Sequence, residues 1–274
     1  MRRRESSRRA RITEGESAVI LDRFRLDDKV AIVTGAGRGL GEGAALAFAE
    51  MGADVVCAAR TPQQIEAVAE KVRSFGRRAL AVPCDVLDSA QLEELVARTL
   101  KDFDRVDVLV NNAGGSPPCG ALDTSEAMFE SALRFNVTTA FLLSRLVIPH
   151  MLKGEGGSIV NISSAAGRLP QGNFAAYGTA KAALSFLTRQ LAAEFAPRVR
   201  VNAIAVGAVE TSALAPFLND KVRGAMESLT PMGRIGQVED IAIAILYLAS
   251  SASSWVTGKV MEVDGGTVAT NWPF

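Results

Sequence analysis

The chain has 274 residues, enough for one large α/β domain or two small ones, and its 30 basic and 30 acidic side chains cancel. This neutral charge excludes a general attraction to nucleic acid or to an anionic membrane, and no run of about 18 apolar residues marks a membrane span. Three cysteines without metal-ligand spacing and a single histidine argue against a disulfide framework and a histidine metal site. We therefore expect a cytoplasmic protein that binds no metal, no nucleic acid and no membrane.

Residues 1–25 differ in composition from the rest of the chain. The stretch MRRRESSRRAR is rich in arginine and has no apolar face, which predicts a disordered basic tail. A mitochondrial transit peptide is also rich in Arg and Ser, but this stretch lacks the apolar stripe of such peptides. Residues 26–274 show no internal repeat and no linker, so we assign them to a single domain.

From residue 26 onward, short apolar runs alternate with longer helical stretches. The predicted strands cover residues 29–34, 54–58, 79–84, 106–110, 158–162, 199–205 and 259–263. The predicted helices cover residues 42–51, 62–75, 89–103, 124–151, 175–191 and 238–248, where 124–151 is one long helix or a kinked pair. Strands separated by helices of this length predict right-handed crossovers and a parallel sheet with helices on both faces.

The first predicted strand leads into a glycine-rich loop, which contains Gly35, Gly37, Gly39 and Gly41. The loop follows a strand and opens a helix, which is the context that a dinucleotide site requires. Glycine allows the tight turn and lets a pyrophosphate approach the N–H groups at a helix N-terminus. Methyltransferases and other Rossmann-like proteins have similar loops, so the loop indicates nucleotide binding but leaves the reaction open.

Tyr177 and Lys181 stand four residues apart in a helical stretch, so both side chains leave the same helix face. A nearby ammonium favours the tyrosinate and lowers the tyrosine pKa from its usual value of ~10, which suits acid/base chemistry at neutral pH. Ser163 and Ser164 follow a predicted strand, near the carboxyl ends where open α/β sheets bind ligands. Such Tyr–Lys pairs also occur as ordinary surface residues, so the pair alone does not decide between the two interpretations.

Three motifs occur together: Thr34-Gly35-x-x-x-Gly39-x-Gly41, Asn111-Asn112-Ala113-Gly114 and Tyr177-x-x-x-Lys181. In their order and spacing the chain resembles the short-chain dehydrogenase/reductase family, single-domain type, over residues 26–268. The resemblance implies an α/β fold, a Rossmann-like doubly wound parallel sheet of about seven strands with helices on both faces. It also implies hydride transfer between a nicotinamide cofactor and a carbonyl or alcohol.

The resemblance assigns roles to several side chains. Tyr177 would be the general acid in carbonyl reduction and the base in alcohol oxidation. Lys181 would lower the pKa of Tyr177 and bind the nicotinamide ribose. Ser164 would hold the substrate oxygen, with Ser163 as its nearest competitor. Asn136 would support a water-linked proton relay, and its structural alternative is a helix-kink residue that binds backbone.

The resemblance also marks a cofactor site. In this site Asn112 would form hydrogen bonds to the backbone across the central sheet. Asp85 would contact the adenine, and the alternative for Asp85 is an ordinary turn or helix-cap residue. The implied cofactor-binding residues are Gly35, Arg38, Gly39, Leu40, Gly41, Arg60, Asp85, Val86, Asn112, Ala113, Gly114, Tyr177, Lys181, Gly207, Val209 and Thr211.

The end of the second strand bears on the choice of cofactor. NAD-specific relatives place a carboxylate there to accept the ribose hydroxyls, but this chain has Ala59 followed by Arg60. No acid repels a 2′-phosphate, and Arg60 and Arg38 could bind one because a guanidinium matches phosphate geometry. We expect NADP to be favoured, with NAD as the alternative.

Substrate selection is expected in residues 116–120, 168–174 and 214–232, the last of which is rich in apolar side chains. These side chains could line a pocket for a bulky apolar ketone or alcohol, or simply pack on the core. Residues 111–115 and 230–266 resemble bacterial 7α-hydroxysteroid dehydrogenases. Ketoacyl thioester reductases and polyol or sugar dehydrogenases share much of this pattern, and a non-catalytic cofactor-binding scaffold is the alternative from another class.

Two further expectations follow from the resemblance. Val206 replaces a proline that stiffens the turn beside the nicotinamide in the family, so the geometry of this loop is left open. Ala252, Trp255 and residues 258–263 are expected to serve assembly, because family members commonly pair their long helices and last strand. We expect a homotetramer or a homodimer.

Overall fold

The computed structural model describes residues 19–272, and its centre is a sheet of seven strands. They are β1 (Val30–Thr34), β2 (Asp54–Ala59), β3 (Ala79–Pro83), β4 (Val108–Asn111), β5 (Gly157–Ser164), β6 (Val199–Val206) and β7 (Val260–Val263). Every neighbouring pair is parallel and the order is β3-β2-β1-β4-β5-β6-β7. The order reverses direction between β1 and β4, and ligands bind outside the carboxyl ends at such a switch point. The predicted doubly wound sheet is confirmed.

Eight α-helices connect the strands in the described part of the chain. They are α1 (Gly39–Glu50), α2 (Pro62–Ser74), α3 (Ser89–Phe103), α4 (Glu126–Leu133), α5 (Thr139–Lys153), α6 (Ala175–Phe195), α7 (Asp220–Ser228) and α8 (Val238–Ala249). One apolar cluster packs α1, α2 and α8 on one face of the sheet, and a second packs α3, α5 and α6 on the other. The central strands read as continuous apolar runs because both of their faces are covered.

Two elements near the site refine the prediction. β5 runs to Ser164, so Ser163 and Ser164 belong to the strand and do not follow it. The stretch predicted over 124–151 as one long helix or a kinked pair consists of α4 and α5, joined by a π-helical segment, Arg134–Thr138. π-segments inside α-helices often mark functional sites, because the extra residue redirects side chains.

The N-terminal boundary also differs from the prediction of a tail over residues 1–25. Residues 1–18 lie outside the described residues, but Ile20–Phe24 form a turn of 3-10 helix. Ser251 donates to the carbonyl oxygen of Arg23 at 2.9 Å, and the Phe24 ring lies 6.2 Å from that of Tyr247. These contacts join residues 20–24 to the end of α8, so ordered structure begins before residue 26.

One helical stretch in the described part, Glu126–Lys153, is long and apolar enough to cross a membrane by length and composition alone. Its apolarity has a local reason, because Leu143, Val147 and Met151 are buried in the second cluster against the sheet. The stretch is therefore explained as core helix. Among residues 19–272, no group of His, Cys, Asp and Glu side chains could hold a metal ion.

Candidate active site

The carboxyl ends of β1, β4, β5 and β6 open into one cleft of about 740 Å³. The cleft brings together residues that are distant in sequence, from the glycine loop after β1 to Trp272. All but two of the predicted site residues line it. The exceptions, Gly41 and Asn136, lie directly behind lining residues.

The glycine loop forms one wall of the cleft. Gly35 and Gly39 have φ angles of 64° and 58°, a region that residues with a Cβ rarely adopt. Gly41 is buried, and a Cβ there would collide with the carbonyl oxygen of Gly35. Arg38 precedes α1 without capping it through its side chain, so the first N–H groups of the helix lack a side-chain cap. The loop is thus a backbone cradle suited to an anionic group.

Asn112 and Thr34 tie the end of β4 to the end of β1. The Asn112 side chain donates to the carbonyl oxygen of Thr34 at 2.8 Å, as expected from the resemblance. The Thr34 hydroxyl accepts from the N–H groups of Asn112 and Ala113 at 3.0 and 3.1 Å. The sequence analysis did not predict that the Thr34 hydroxyl accepts these two hydrogen bonds. Together the two side chains set the width of the cleft at the switch point.

Asn136 lies in the π-helical segment and is 2% exposed. Its side chain donates to the carbonyl oxygens of Ala132 and Gly115 at 2.9 and 3.0 Å and accepts from the Gly115 N–H at 2.8 Å. A Cβ at Gly114 would come within 2.7 Å of Asn136 Oδ1 and 3.1 Å of Lys181 Nζ. Asn136 therefore holds the loop after β4 and faces the same small space as Lys181.

Tyr177 and Ser164 both line the cleft. The Ser164 hydroxyl accepts from the Ala166 N–H at 3.2 Å. Burial raises the pKa of Tyr177 above its ordinary value of 10.0, and the neighbouring Ser164 side chain partly opposes this rise. The expected net lowering of this pKa is therefore not produced by the side chains around Tyr177, because desolvation outweighs the favourable contacts.

Lys181 lies one helical turn beyond Tyr177, with Nζ 5.7 Å from the centre of the Tyr177 ring. Nζ donates to the carbonyl oxygen of Ile162 at 2.8 Å. Burial lowers the pKa of Lys181 from 10.5 to about 8, so its ammonium is held at a cost near neutral pH. Ser163 also lines the cleft, but its hydroxyl is engaged with α6, since it donates to the Lys181 carbonyl oxygen at 3.0 Å and pairs with Ser185. Ser164 is therefore the serine whose side chain acts on Tyr177.

The other predicted cofactor residues line the cleft around these groups. Arg38 and Arg60 are exposed at its rim, and neither forms a salt bridge within residues 19–272. Asp85 accepts from the Leu87 N–H at 3.0 Å, so its side chain makes the turn contact that was the alternative interpretation. The other predicted cofactor residues that line the cleft are Leu40, Val86, Ala113, Gly114, Gly207, Val209 and Thr211.

Val206 occupies the position where the family has a proline. It is the last residue of β6 and pairs with Ser164 on one side and Val263 on the other. The N–H of Gly207 continues this pairing by donating to the Val263 carbonyl oxygen at 3.1 Å. The turn is therefore anchored by strand pairing on both sides.

Sequence reasoning missed the C-terminal contribution to the cleft. Thr267, Asn271 and Trp272 line it, and the Trp272 ring packs edge-on against Phe174 with ring centres 5.5 Å apart. Phe174 lies within a segment predicted to select substrate, but nothing pointed to Trp272. The only signal was a tryptophan near the end of a chain that contains two.

Comparison with known proteins agrees with this geometry. A family model described as enoyl-(acyl carrier protein) reductase matches residues 35–268, from the glycine loop to the end of the sheet. The chain belongs to the short-chain dehydrogenase/reductase family. The predicted family is thus confirmed, and members of this family are oxidoreductases that act on CH–OH groups.

Similar members of the short-chain dehydrogenase/reductase family cover almost the whole chain. An uncharacterized oxidoreductase of Mycobacterium tuberculosis is 51% identical over 255 residues, covering 92% of this chain and 97% of that protein. The 7α-hydroxysteroid dehydrogenase of Escherichia coli is 40% identical over 248 residues, covering 90% and 97%. A solved 7α-hydroxysteroid dehydrogenase in complex with NADH and 7-oxo glycochenodeoxycholic acid matches with a TM-score of 0.88 at 40% identity, covering 90% of this chain and 97% of that one.

Proposed function

We propose that the protein is a nicotinamide-dependent oxidoreductase that transfers a hydride between the cofactor and a carbonyl or secondary alcohol. The observation that carries this proposal is the convergence of Ser164, Tyr177 and Lys181, the last one turn along the same helix as Tyr177, in the cleft that the glycine loop also lines. A binding scaffold has no need to bury an ammonium beside a phenol, because that burial costs free energy. The solved relative in complex with NADH is consistent with this cofactor class.

The residues of the cleft fit a dinucleotide. The positive φ angles of Gly35 and Gly39 and the crowding behind Gly41 leave a cradle that side chains would fill. The start of α1 would face the pyrophosphate, Asp85 and Val86 the adenine, and Asn112 to Gly114 the central part of the cofactor. Gly207, Val209 and Thr211 would approach the carboxamide. When bound, the nicotinamide supplies or accepts the hydride.

The side chains of the cleft would hold and move the proton. Tyr177 would donate its hydroxyl proton to the carbonyl oxygen during reduction, and Ser164 would hold that oxygen in place. Burial raises the Tyr177 pKa, so the phenol stays protonated at neutral pH, and the protonated phenol is the form that donates in reduction. Lys181 would bind the ribose and lead protons towards Asn136, whose side chain faces the same space. Oxidation would need the tyrosinate and therefore a higher pH.

NADP is the proposed cofactor in preference to NAD. β2 ends at Ala59, so no carboxylate stands where one would repel a 2′-phosphate. Arg60 and Arg38 line the same cleft as Ala59 and make no salt bridge within the described residues. A guanidinium without a carboxylate partner is available for a phosphate.

The proposed substrate is a bulky apolar ketone or alcohol, such as a hydroxysteroid. Leu214, Phe217 and Met226 line the substrate end of the cleft, and the Escherichia coli relative is a hydroxysteroid dehydrogenase. A 3-oxoacyl thioester is the second candidate, because a 3-oxoacyl-[acyl-carrier-protein] reductase of Thermotoga maritima is 35% identical over 246 residues. We further propose a cytoplasmic homotetramer or homodimer, in which the Trp255 side chain, 99% exposed, would be covered by a second subunit.

The experiment follows NADPH absorbance with ketosteroids, ketoacyl thioesters and sugar ketones. Tyr177→Phe should lose about a hundredfold or more in turnover while keeping its affinity for NADPH. Unchanged turnover would remove Tyr177 from the mechanism. Arg60→Ser should raise the Michaelis constant for NADPH and leave that for NADH alone; a wild-type Michaelis constant lower for NADH would overturn the cofactor preference.

A further inference from the structure

The C-terminal segment 264–272 folds back over the substrate end of the cleft and is fastened at two places. Arg168 binds its beginning, donating to the Asp264 carboxylate at 2.6 Å and to the Thr267 carbonyl oxygen at 2.8 Å. Asn271 binds near its end, donating to the Thr230 hydroxyl at 3.0 Å. The segment is thus joined both to the loop between β5 and α6 and to the residues that follow α7.

Trp272 stands at the end of this fastened segment, between two phenylalanines. Its ring centre lies 5.5 Å from that of Phe174 at 86° and 5.6 Å from that of Phe217 at 67°. Phe174 in turn packs against Tyr177, with ring centres 5.8 Å apart at 60°. Edge-to-face contacts of this kind stabilise aromatic pairs beyond their buried area. One row of rings therefore leads from Tyr177 to Phe217, with Trp272 in the middle.

The row of rings is also the apolar wall of the substrate end. Phe174, Phe217 and Trp272 all line the cleft, and Leu214 lines it beside them. Trp272 also packs on the small apolar cluster of Val222, Met226 and Ile235, which supports the wall from behind. Rigid aromatic rings offer a large contact area at a small entropic cost. The wall suits a substrate that presents a broad, rigid apolar surface.

We propose that Trp272 is a specificity-determining residue, which selects carbonyl compounds built on fused apolar rings over small ones. The inference rests on the proposed function and deepens it. A fused-ring ketone whose carbonyl reaches Tyr177 would lay its ring system along Phe174 and Trp272. A small ketone would reach Tyr177 without touching Trp272, so it would gain nothing from the indole.

The test compares variants of Trp272 with a conservative variant of the second tryptophan, Trp255, which does not line the cleft. A ketosteroid and cyclohexanone serve as the large and small ketones, with NADPH as the reductant. Trp272→Ala should raise the Michaelis constant for the ketosteroid about tenfold or more and change kcat/KM for cyclohexanone less than about twofold. Trp272→Phe should restore most of the loss, because a ring remains. Trp255→Phe should leave the Michaelis constant and kcat/KM unchanged for both ketones.

Equal losses for both ketones in Trp272→Ala, or no loss for either, would overturn the inference. A wild-type protein that reduces neither ketone would instead refute the proposed function. Binding then decides the inference separately, because Trp255→Phe leaves Trp272 as the only tryptophan. A saturable change in its fluorescence on addition of the ketosteroid would support the inference, and an unchanged emission would overturn it.

Discussion

Two cations lie inside this protein without a carboxylate partner, and the protein uses them differently. Lys181 on α6 is 4% exposed and donates to one backbone carbonyl oxygen, that of Ile162. Arg200 on β6 points at the C-terminal end of α8. Its acceptors are the carbonyl oxygens of Leu248, Ala249, Ser250, Ser253 and Val256 and the hydroxyl of Ser253. Neither forms a salt bridge within residues 19–272.

Arg200 and Lys181 differ in how many of their N–H groups are left without an acceptor within the described part of the chain. Burial lowers the pKa of both groups, that of Lys181 to about 8, while Tyr247 partly opposes the effect at Arg200. The guanidinium of Arg200 donates its N–H groups to carbonyl oxygens at the C-terminus of α8, which is the negative end of the helix dipole. An ammonium has three N–H groups, and Lys181 uses one on Ile162 while it lines the cleft. We infer that Arg200 serves the fold and Lys181 the chemistry.

The largest expected effect is the loss of activity in Lys181→Met. Turnover with NADPH and a ketone should fall about a hundredfold or more, because Tyr177 loses the cation that assists its proton transfer. Steady-state kinetics measure the loss. Arg200→Met, assayed at a temperature where it is folded, should keep kcat/KM within about threefold of wild type. Comparable losses in both variants would erase the functional distinction between the two cations.

Arg200→Met should give the largest loss of stability. It removes the charged donor that the acceptors at the end of α8 share, which lowers the free energy of unfolding by about 3 kcal/mol. Urea denaturation measures this loss. Arg200→Lys should recover only part of it, because an ammonium cannot reach the same set of acceptors as a planar guanidinium. A variant as stable as wild type would show that the contacts at the end of α8 contribute nothing to the fold.

Lys181→Met should have the opposite effect on the stability of the cofactor-free protein. The folded pKa of about 8 lies below the ordinary 10.5, so the protonated side chain destabilises the fold fully below pH 8, and this cost disappears as the pH rises from 8 to 10.5. Allowing for the lost hydrogen bond to Ile162, we expect a gain of about 2 kcal/mol at pH 7 that vanishes by pH 10.5. Urea titrations at both pH values test this. A gain that does not depend on pH would contradict the burial argument.

The smallest expected effect comes from a cation that does have a carboxylate partner. Arg73 and Glu66 form an ion pair of 2.7 Å on the exposed face of α2. Glu66→Gln should change the free energy of unfolding by less than about 1 kcal/mol, because water and salt screen exposed pairs. Added salt should shrink the change further. If Glu66→Gln lowered the free energy of unfolding as much as Arg200→Met, exposure to solvent would not explain the difference in strength between the two contacts.

Local patterns in the sequence predicted most of the fold and the centre of the site. The alternation of apolar runs and helical stretches predicted the parallel sheet, because each strand covered on both faces must be apolar throughout. Tyr177 and Lys181 were predicted to share a helix face from their spacing alone. Gly35, Gly39 and Gly41 were predicted to form a close turn, and each of them occupies a position where a Cβ would be strained or would collide.

Contacts between distant segments decided what these patterns left open. The direction of the Tyr177 pKa shift depends on how deeply the cleft desolvates the phenol, which no spacing reveals. The π-helical segment that aims Asn136 at Gly115 arises where α4 meets α5. Nothing in the local sequence distinguishes Arg200 from other arginines in strands, and its role follows only from the position of the end of α8 beside it.

Periodicity and spacing in the sequence by themselves determined the sheet, the glycine cradle and the Tyr177–Lys181 pair, since each depends on residues a few positions apart. Only the tertiary structure decided that Ser164 rather than Ser163 meets Tyr177, that Arg200 binds the end of α8, and that Trp272 joins the substrate wall. The physical reason is that side-chain direction along one helix or strand is set locally. The meeting of two separate segments depends instead on how the whole sheet and its helices pack.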